Sequence, residues 1–203
     1  MSKFINKSEE TNYNAKKKYG QNFLEDNNLL LEIIESASLT DETEVIEIGP
    51  GLGFLTDILI KKSKKITAFE IDKGLIPILT KKFGDNDNFE LINEDFLAYD
   101  LNKIVEGKKN IKVVANIPYY ITSPIISRLL EFRSNISEIY LMVQKEVAER
   151  IASKPNSKNM SILTHSVQFF AEAEYLFTVK KEMFTPVPKV DSAFLKIKVL
   201  NDD

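Results

Sequence analysis

Three glycines fall within five positions directly after a short apolar segment, and an acidic residue ends the next apolar segment. The glycines are Gly49, Gly51 and Gly53, which follow the predicted strand 45–48. A strand that ends in such a loop and opens a helix lets the backbone approach a ligand that a Cβ atom would hold away. Glu70 ends the second predicted strand, where a carboxylate can accept hydrogen bonds from both hydroxyls of a ribose. This spacing predicts a nucleoside-binding site.

The residues after the third predicted strand indicate that the base of such a nucleoside is adenine. Asp95 is placed to accept a hydrogen bond from the exocyclic amine, and Phe96 to pack on the ring. Taken singly, Glu70 and Asp95 could be exposed acids at strand ends. The dinucleotide fingerprint G-x-G-x-x-G requires a small residue at its sixth position, which is Phe54 here. A nicotinamide-dependent oxidoreductase is therefore the weakest alternative.

A turn of sequence NIPYY, residues 116–120, follows the fourth predicted strand. The proline fixes a rigid bend that places Asn116 and Tyr119 on one side of a crevice. The lone pair of an adenine amine is delocalised into the ring, so two acceptors on its hydrogens, the Asn116 side-chain oxygen and a backbone carbonyl near Pro118, would make it a better nucleophile. Tyr119 could stack on an extruded base, which is worth about 1–3 kcal/mol. If the reaction at this amine is methyl transfer from a sulfonium donor, no acid–base residue is required, because the methyl group of such a donor is already activated. An ordinary proline turn with core tyrosines is the alternative for this segment alone.

The elements that would position these residues alternate between strand and helix. The predicted strands are 45–48, 66–70, 89–92, 112–115, 138–143, 175–179 and 192–199. Asp26 or Asn27 caps a first helix, and further helices are predicted after residue 53 and over 75–83, 124–132, 145–152 and about 161–170. The alternation implies right-handed crossovers and a mostly parallel sheet of the α/β class. The last two strands have no helix between them, which predicts an antiparallel hairpin at one edge.

Composition bounds the classes of protein that remain. The chain has 203 residues, 43% of them hydrophobic and 28% charged, as in an ordinary folded domain. It has no cysteine and one histidine, which excludes disulfides, thiolate or multi-histidine metal sites and cysteine nucleophiles, so no metal is expected. No apolar run approaches the ~18 residues of a membrane span, so a cytoplasmic protein is expected. The net charge of −3 does not indicate a nucleic-acid partner, although lysines cluster at positions 16–18.

Four segments together carry a resemblance to a known family. They are GQNFL at 20–24, EIGPGLG at 47–53, NIPYY at 116–120 and FTPVPKVDSA at 184–193. In this order and spacing, over about residues 16–199, the chain resembles the ribosomal RNA adenine dimethyltransferase family. The last segment is more similar to the small-subunit branch, the kasugamycin-sensitivity methyltransferases, than to the macrolide-resistance branch that acts on large-subunit RNA.

The resemblance implies a fold, a donor and a set of site residues. The fold is the Rossmann-like class I methyltransferase fold, with a mostly parallel seven-stranded sheet, an antiparallel edge hairpin and helices on both faces. The donor is S-adenosylmethionine, and the product is N6,N6-dimethyladenosine in small-subunit ribosomal RNA. The implied cofactor-binding residues are Asn22, Leu24, Gly49, Gly51, Glu70, Ile71, Asp95, Phe96 and Asn116. The implied catalytic residues are Asn116, Pro118, Tyr119 and Phe184, with Phe184 sandwiching the flipped base.

The resemblance also implies the domain organisation and the partners. Residues 1–18 are expected to form a mobile basic arm, and residues 19–203 the catalytic domain, without the helical C-terminal domain that family members usually carry. The expected partners are small-subunit ribosomal RNA and the 30S pre-ribosomal particle in ribosome biogenesis, with no membrane and with the protein a monomer. The alternatives are a large-subunit methyltransferase of the macrolide-resistance type and a largely non-catalytic RNA-binding assembly factor.

Overall fold

The computed structural model describes residues 13–154 and 161–200, and its centre is one large sheet. The strands are β1 Phe23–Leu24, β2 Glu44–Ile48, β3 Lys65–Phe69, β4 Phe89–Ile92, β5 Ile111–Asn116, β6 Ile136–Gln144, β7 Ala171–Val179, β8 Phe184–Thr185 and β9 Ser192–Val199. The α-helices are α1 Asn27–Ala37, α2 Phe54–Lys62, α3 Ile76–Phe83, α4 Asn102–Val105, α5 Thr122–Glu131, α6 Lys145–Ile151 and α7 Ile162–Phe170. The predicted helices and strands are confirmed, with ends that differ by a few residues.

The seven-stranded sheet has the order β4-β3-β2-β5-β6-β9-β7. Strands β2 to β6 pair in parallel, and β9 pairs antiparallel with both β6 and β7. This confirms the predicted α/β class and the antiparallel pair at one edge. The last strand lies inside the sheet, between β6 and β7, so that β7 is the edge strand.

The first helix shows how local sequence sets an element. The Asp26 side chain accepts a hydrogen bond from the Leu29 amide at 2.9 Å and so caps the amino end of α1. The buried residues of α1 recur at helical spacing and are Leu29, Leu30, Ile33, Ile34 and Ala37. The helix stops at Ser38, whose backbone is left-handed. The predicted cap and buried face are both confirmed.

Two hydrophobic clusters cover the two faces of the sheet. Within β5, Val113 and Ala115 belong to one cluster and Val114 to the other, as the alternation of side chains along a strand requires. Helix α5 packs on the first face through Ile125, and α1 packs on the second through Ile33. Because both faces are buried, residues 113–115 in the middle of β5 are all apolar rather than alternating with polar residues. The predicted helices on both faces are confirmed.

A second, two-stranded sheet was not predicted from the sequence. Strand β1 pairs antiparallel with β8, with Phe23 opposite Thr185 and Leu24 opposite Phe184. This pair ties the segment before α1 to the loop that precedes β9. Residues 1–12 of the predicted arm lie outside the described residues, and its later residue Tyr13 packs edge-on against Phe23. The described part of the arm therefore lies against the domain.

No helix of the described residues is long and apolar enough to cross a membrane. The longest, α1, has 11 residues.

Candidate active site

A cavity of about 250 Å³ opens at the carboxyl ends of β2, β3 and β5. The chain runs from β2 to β3 and β4 on one side, then crosses to β5 on the other side of β2. Ligands of doubly wound sheets bind at such a switch point, since the loops on its two sides diverge and leave a crevice. Of the predicted site residues, the structure brings the following to the cavity wall: Asn22, Leu24, Gly49, Gly51, Glu70, Ile71, Asp95, Phe96, Asn116, Pro118 and Tyr119.

The glycine loop after β2 forms one wall and has no room for side chains. Gly49 and Gly51 have φ of 72° and 60°, a left-handed conformation that glycine adopts without strain. A Cβ atom on Gly49 would lie 3.3 Å from the backbone oxygen of Asn116, and one on Gly51 would lie 3.0 Å from the Phe23 ring. The loop therefore packs closely between β5 and β1 and presents its backbone to the cavity.

Glu70 follows β3 and is oriented by two backbone amides. Its carboxylate accepts hydrogen bonds from the amide of Gly51 at 3.2 Å and from the amide of Asp72 at 2.8 Å. The residue is 4% exposed, and this burial raises its pKa to about 7, although the backbone amides of Asp72, Gly51 and Ile71 act in the opposite direction. A carboxylate has about four acceptor positions, so the Glu70 carboxylate keeps acceptor capacity for a ligand.

Glu47 is a second buried carboxyl group at the cavity, and the sequence did not predict it as a site residue. It accepts a hydrogen bond from the Thr56 hydroxyl at 2.8 Å and is 2% exposed. Burial raises its pKa to about 8, and the nearby charge of Glu70 adds to the shift. A carboxylate inside the apolar run of β2 was the signal that could have identified it. A positive charge on a bound ligand would favour the ionised form of both groups.

The loop after β4 adds one acceptor and two apolar surfaces. The Asp95 side chain is exposed and accepts a hydrogen bond from the Leu97 amide at 3.0 Å. The Phe96 ring is buried and meets Phe69 edge to face, with 5.2 Å between the ring centroids. Ile71, on the neighbouring loop, is 47% exposed although it is large and apolar. An exposed acceptor next to an exposed apolar side chain can bind the polar edge and the face of a flat, nitrogen-bearing ring.

Asn116 ends β5, and its side chain is held in one orientation. Its amide nitrogen donates a hydrogen bond to the backbone oxygen of Asn22 at 3.2 Å. The contact determines which end of the amide is the oxygen, since only the nitrogen can donate. Among the described ranges 13–154 and 161–200, no group donates to that oxygen, so it remains available to a ligand.

The two tyrosines of the turn differ in their surroundings. The Tyr119 hydroxyl shares a short hydrogen bond with the Ser192 hydroxyl at the start of β9, which fixes the far end of its ring. Burial raises the pKa of Tyr119, so the phenol stays protonated. Tyr120 is 66% exposed and also lines the cavity. The turn thus offers one fixed and one exposed aromatic ring beside Asn116.

Phe184 is the predicted site residue that the structure does not bring to the cavity wall. Its side chain is 2% exposed and packs in the hydrophobic cluster on the α1 face, because the β1–β8 pairing places it opposite Leu24. In this position the ring cannot stack on a base that enters the cavity. The buried side chains of Met142 and Phe194, which the sequence did not indicate, line the cavity instead.

The part of the chain that the structure describes contains no group of three or more acidic or histidine side chains arranged to hold a metal ion.

Comparison with known proteins gives consistent matches across the chain. A family model described as "Ribosomal RNA adenine dimethylase" matches residues 12–203. The "Ribosomal RNA small subunit methyltransferase A" of Fusobacterium nucleatum is 50% identical over 192 residues, covering 94% of this chain and 72% of the relative. The protein of the same name from Lactococcus lactis is 49% identical over 189 residues, covering 91% of this chain and 64% of the relative. Among solved structures, the 23S rRNA methyltransferase ErmE has a TM-score of 0.78 and 33% identity, covering 88% of this chain and 70% of that one.

Proposed function

Because the chain belongs to the ribosomal RNA adenine dimethylase family, we propose that it transfers methyl groups from S-adenosylmethionine to N6 of adenosines in small-subunit ribosomal RNA. The product is N6,N6-dimethyladenosine, formed during ribosome biogenesis. One observation carries the proposal: the oriented Asn116 side-chain amide and the glycine loop line the same cavity, and a Cβ atom on Gly49 would lie 3.3 Å from the Asn116 backbone oxygen. A site for a nucleoside donor and a site for an aromatic amine are thereby joined.

The residues at the cavity fit the donor. The Glu70 carboxylate keeps acceptor capacity for the ribose hydroxyls, and the glycine loop presents its backbone to the cavity without an intervening side chain. Asp95 accepts from the exocyclic amine of the donor's adenine, and Ile71 and Phe96 cover the ring. When bound, S-adenosylmethionine supplies an activated methyl group on a sulfonium centre, so the protein needs no acid to assist its departure.

Asn116 orients the target amine. Its side-chain oxygen accepts one N6 hydrogen, and a backbone oxygen near Pro118 accepts the other. Two acceptors in these directions favour a tetrahedral nitrogen, whose lone pair no longer delocalises into the ring. The nitrogen gains the methyl group and releases its proton to water at the open mouth. The bond to the Asn22 oxygen keeps Asn116 from rotating, so the acceptor is in place before the base enters.

Tyr119 supplies the stacking surface for the extruded base. Its ring is fixed at the hydroxyl by Ser192, so little conformational entropy is lost when the base arrives. Stacking of about 1–3 kcal/mol offsets the few kcal/mol that removing a base from its stack costs. The contribution of Phe184 would require its side chain to leave the core.

The small subunit is favoured over the large subunit as the source of the RNA. The relatives named for the small subunit are 49–50% identical to the chain, whereas the enzyme that acts on 23S RNA is 33% identical. We extend the proposal to the 30S pre-ribosomal particle as the substrate form, a monomer as the active state, the cytoplasm as the location and residues 19–203 as the catalytic domain.

Methyl transfer to isolated 30S particles tests the proposal. The particles come from a strain that lacks the modification, and 50S particles serve in parallel. We expect mass spectrometry of nuclease digests to find dimethyladenosine in small-subunit RNA with the wild-type chain. It should be absent with Asn116→Ala and present with Asn28→Ala, which changes an exposed residue of α1.

Three results would contradict parts of the proposal. Label in the 50S RNA would assign the chain to the macrolide-resistance type. Donor binding without transfer to either particle would indicate an assembly factor. Wild-type transfer by Asn116→Ala would show that the catalytic role of Asn116 is wrong.

A further inference from the structure

Asp72 is a buried carboxylate that joins the segment before β1 to the main sheet. It follows β3, two residues after Glu70, and is 1% exposed. Lys16 donates to it at 2.6 Å and the Gln21 side chain at 3.0 Å, and the Tyr13 hydroxyl donates through a short hydrogen bond. These donors lie 51 to 59 positions earlier in the chain. The Asp72 carboxylate therefore accepts hydrogen bonds from three residues of a segment that is far away in the sequence.

With these hydrogen-bond donors around it, the Asp72 carboxyl group stays ionised at neutral pH. Burial alone would raise its pKa, but hydrogen bonds from Lys16, Tyr13, the Gly74 amide and Gln21 outweigh this effect and lower the pKa to about 2. Hydrogen bonds to an ionised acceptor are roughly twice as strong as those between neutral groups. The contact between the segment and the sheet is therefore strong although few residues make it.

The segment that Asp72 holds also forms a wall of the cavity. Residues 19–24 line it, and Gln21 is the neighbour of Asn22, whose backbone oxygen orients Asn116. Asp72 also donates its own amide to Glu70 at 2.8 Å. A continuous series of contacts thus runs from Asp72 to the group that orients the target amine and to the group expected to hold the ribose.

Other attachments of this segment are weak. Tyr13 and Ala15 are its partly buried apolar residues ahead of residue 19, and the β1–β8 pair contains only two residues from each strand. The side chain of Lys16 is 41% exposed, so water reaches the ion pair from outside. Without the Asp72 contacts, residues 13–22 would be held chiefly by the Tyr13–Phe23 ring contact and by the hydrogen bond between Asn22 and Asn116 at their carboxyl end.

We propose that Asp72 is a positioning residue that fastens residues 13–22, here called the N-terminal strap, across the mouth of the cavity. Release of this contact opens this cleft for exchange of the methyl donor. The identity of the donor rests on the proposed function, whereas the fastening of the strap does not. Asp72 does not touch the cavity itself. Its effect on the site therefore passes through Gln21 and Asn22 and through its amide contact with Glu70.

Hydrogen exchange of the ligand-free chain tests the fastening directly. Asp72→Asn keeps the shape of the side chain but removes its charge and sets an amide against one of the donors. We expect amides of the strap, among them those of Lys16 and Tyr19, to exchange about tenfold faster or more, with β2 unchanged. Asp85→Asn is the matched control, since Asp85 is exposed and no described residue pairs with its side chain. Unchanged exchange in the strap of Asp72→Asn would overturn the proposal.

The kinetics of ligand release separate a gate from a purely structural contact. With S-adenosylhomocysteine as the probe, Asp72→Asn should release the ligand about tenfold faster or more, with a smaller change in the association rate. Faster strap exchange with an unchanged release rate would show that the strap does not gate the cleft. If the wild-type chain does not bind this probe, the proposed function fails, and the exchange experiment still decides whether Asp72 holds the strap.

Variants on the strap itself guard against misfolding of Asp72→Asn. Lys16→Met and Tyr13→Phe leave the sheet untouched, and each should raise strap exchange in the same direction. Combining Lys16→Met with Asp72→Asn should give little further increase, because both remove the same contact. Fully additive effects would show that the lysine and the carboxylate act independently and would overturn the proposal.

Discussion

Ionisation of Glu70 should make donor affinity depend on pH near neutrality. In the proposed site the Glu70 carboxylate accepts hydrogen bonds from both ribose hydroxyls, which requires the ionised form, and burial raises its pKa in the free protein to about 7. At pH 6 about one molecule in ten then carries the ionised form, whereas nearly all do at pH 8. The affinity for S-adenosylhomocysteine should therefore be about tenfold weaker at pH 6 than at pH 8.

Calorimetric titration at pH 6, 7 and 8 measures this dependence. Glu70→Gln keeps the volume but can accept from only one hydroxyl, so we expect it to lose about 1–3 kcal/mol of affinity at pH 8 and to show a flatter pH profile. The ligand affinity of Glu47→Gln should keep the pH dependence that ionisation of Glu70 produces. Glu90→Gln is the control, since its side chain is 45% exposed and pairs with Lys65 at the surface.

The stability of the ligand-free chain should fall as pH rises, whereas the affinity for the ligand increases. A carboxyl group whose pKa is raised on folding binds more protons in the folded state, so stability is lost as pH rises from about 4.5 through the folded value of about 7. For Glu70 the full loss is about 3 kcal/mol, and Glu47 extends the window to about pH 8. Glu70→Gln should reduce this loss in denaturant titrations while it weakens donor binding.

A wild-type affinity that does not change between pH 6 and 8, or a Glu70→Gln variant with the wild-type profile, would refute the reasoning.

Three further predictions test other parts of the site and fold. Asn116→Ala should lower the rate of methyl transfer about a hundredfold or more, because it removes a fixed acceptor, while calorimetry shows that donor binding is retained in part. Gly49→Ala should cost about 1–2 kcal/mol of unfolding free energy, since its φ of 72° is strained for alanine and the new Cβ meets the Asn116 backbone oxygen; an unchanged denaturation midpoint would contradict it. Asp26→Ala should cost about 1 kcal/mol through loss of the cap on the Leu29 amide, measured in the same way, with donor affinity unchanged.

Much of the fold could be predicted because it depends on local patterns. The apolar spacing of α1 and the cap at Asp26 specify a helix without reference to the rest of the chain. The position of β9 between β6 and β7 could not be predicted, because strand order within a sheet depends on packing between distant segments. The β1–β8 pair was missed because two residues are too few to show a period.

The site shows the same division between local and distant information. The Gly49–Gly51 loop and the Asn116 turn are continuous motifs, so their residues could be recognised in the sequence. The partners of Asp72 are more than 50 positions away, and no local pattern connects them. Phe184 lies in a recognisable motif, but its burial opposite Leu24 depends on β1 and could be found only in the structure.

The interior position of β9 sets an order of events during biosynthesis. A ribosome makes β6 and β7 before β9, yet neither can complete its backbone pairing in this sheet until residues 192–199 have emerged. Until then the nascent chain carries an unpaired edge along β6, a surface that invites association with other chains. We therefore expect that chaperone binding to this edge, or slow emergence of residues 192–199, changes the yield of native protein without changing the stability of the finished fold.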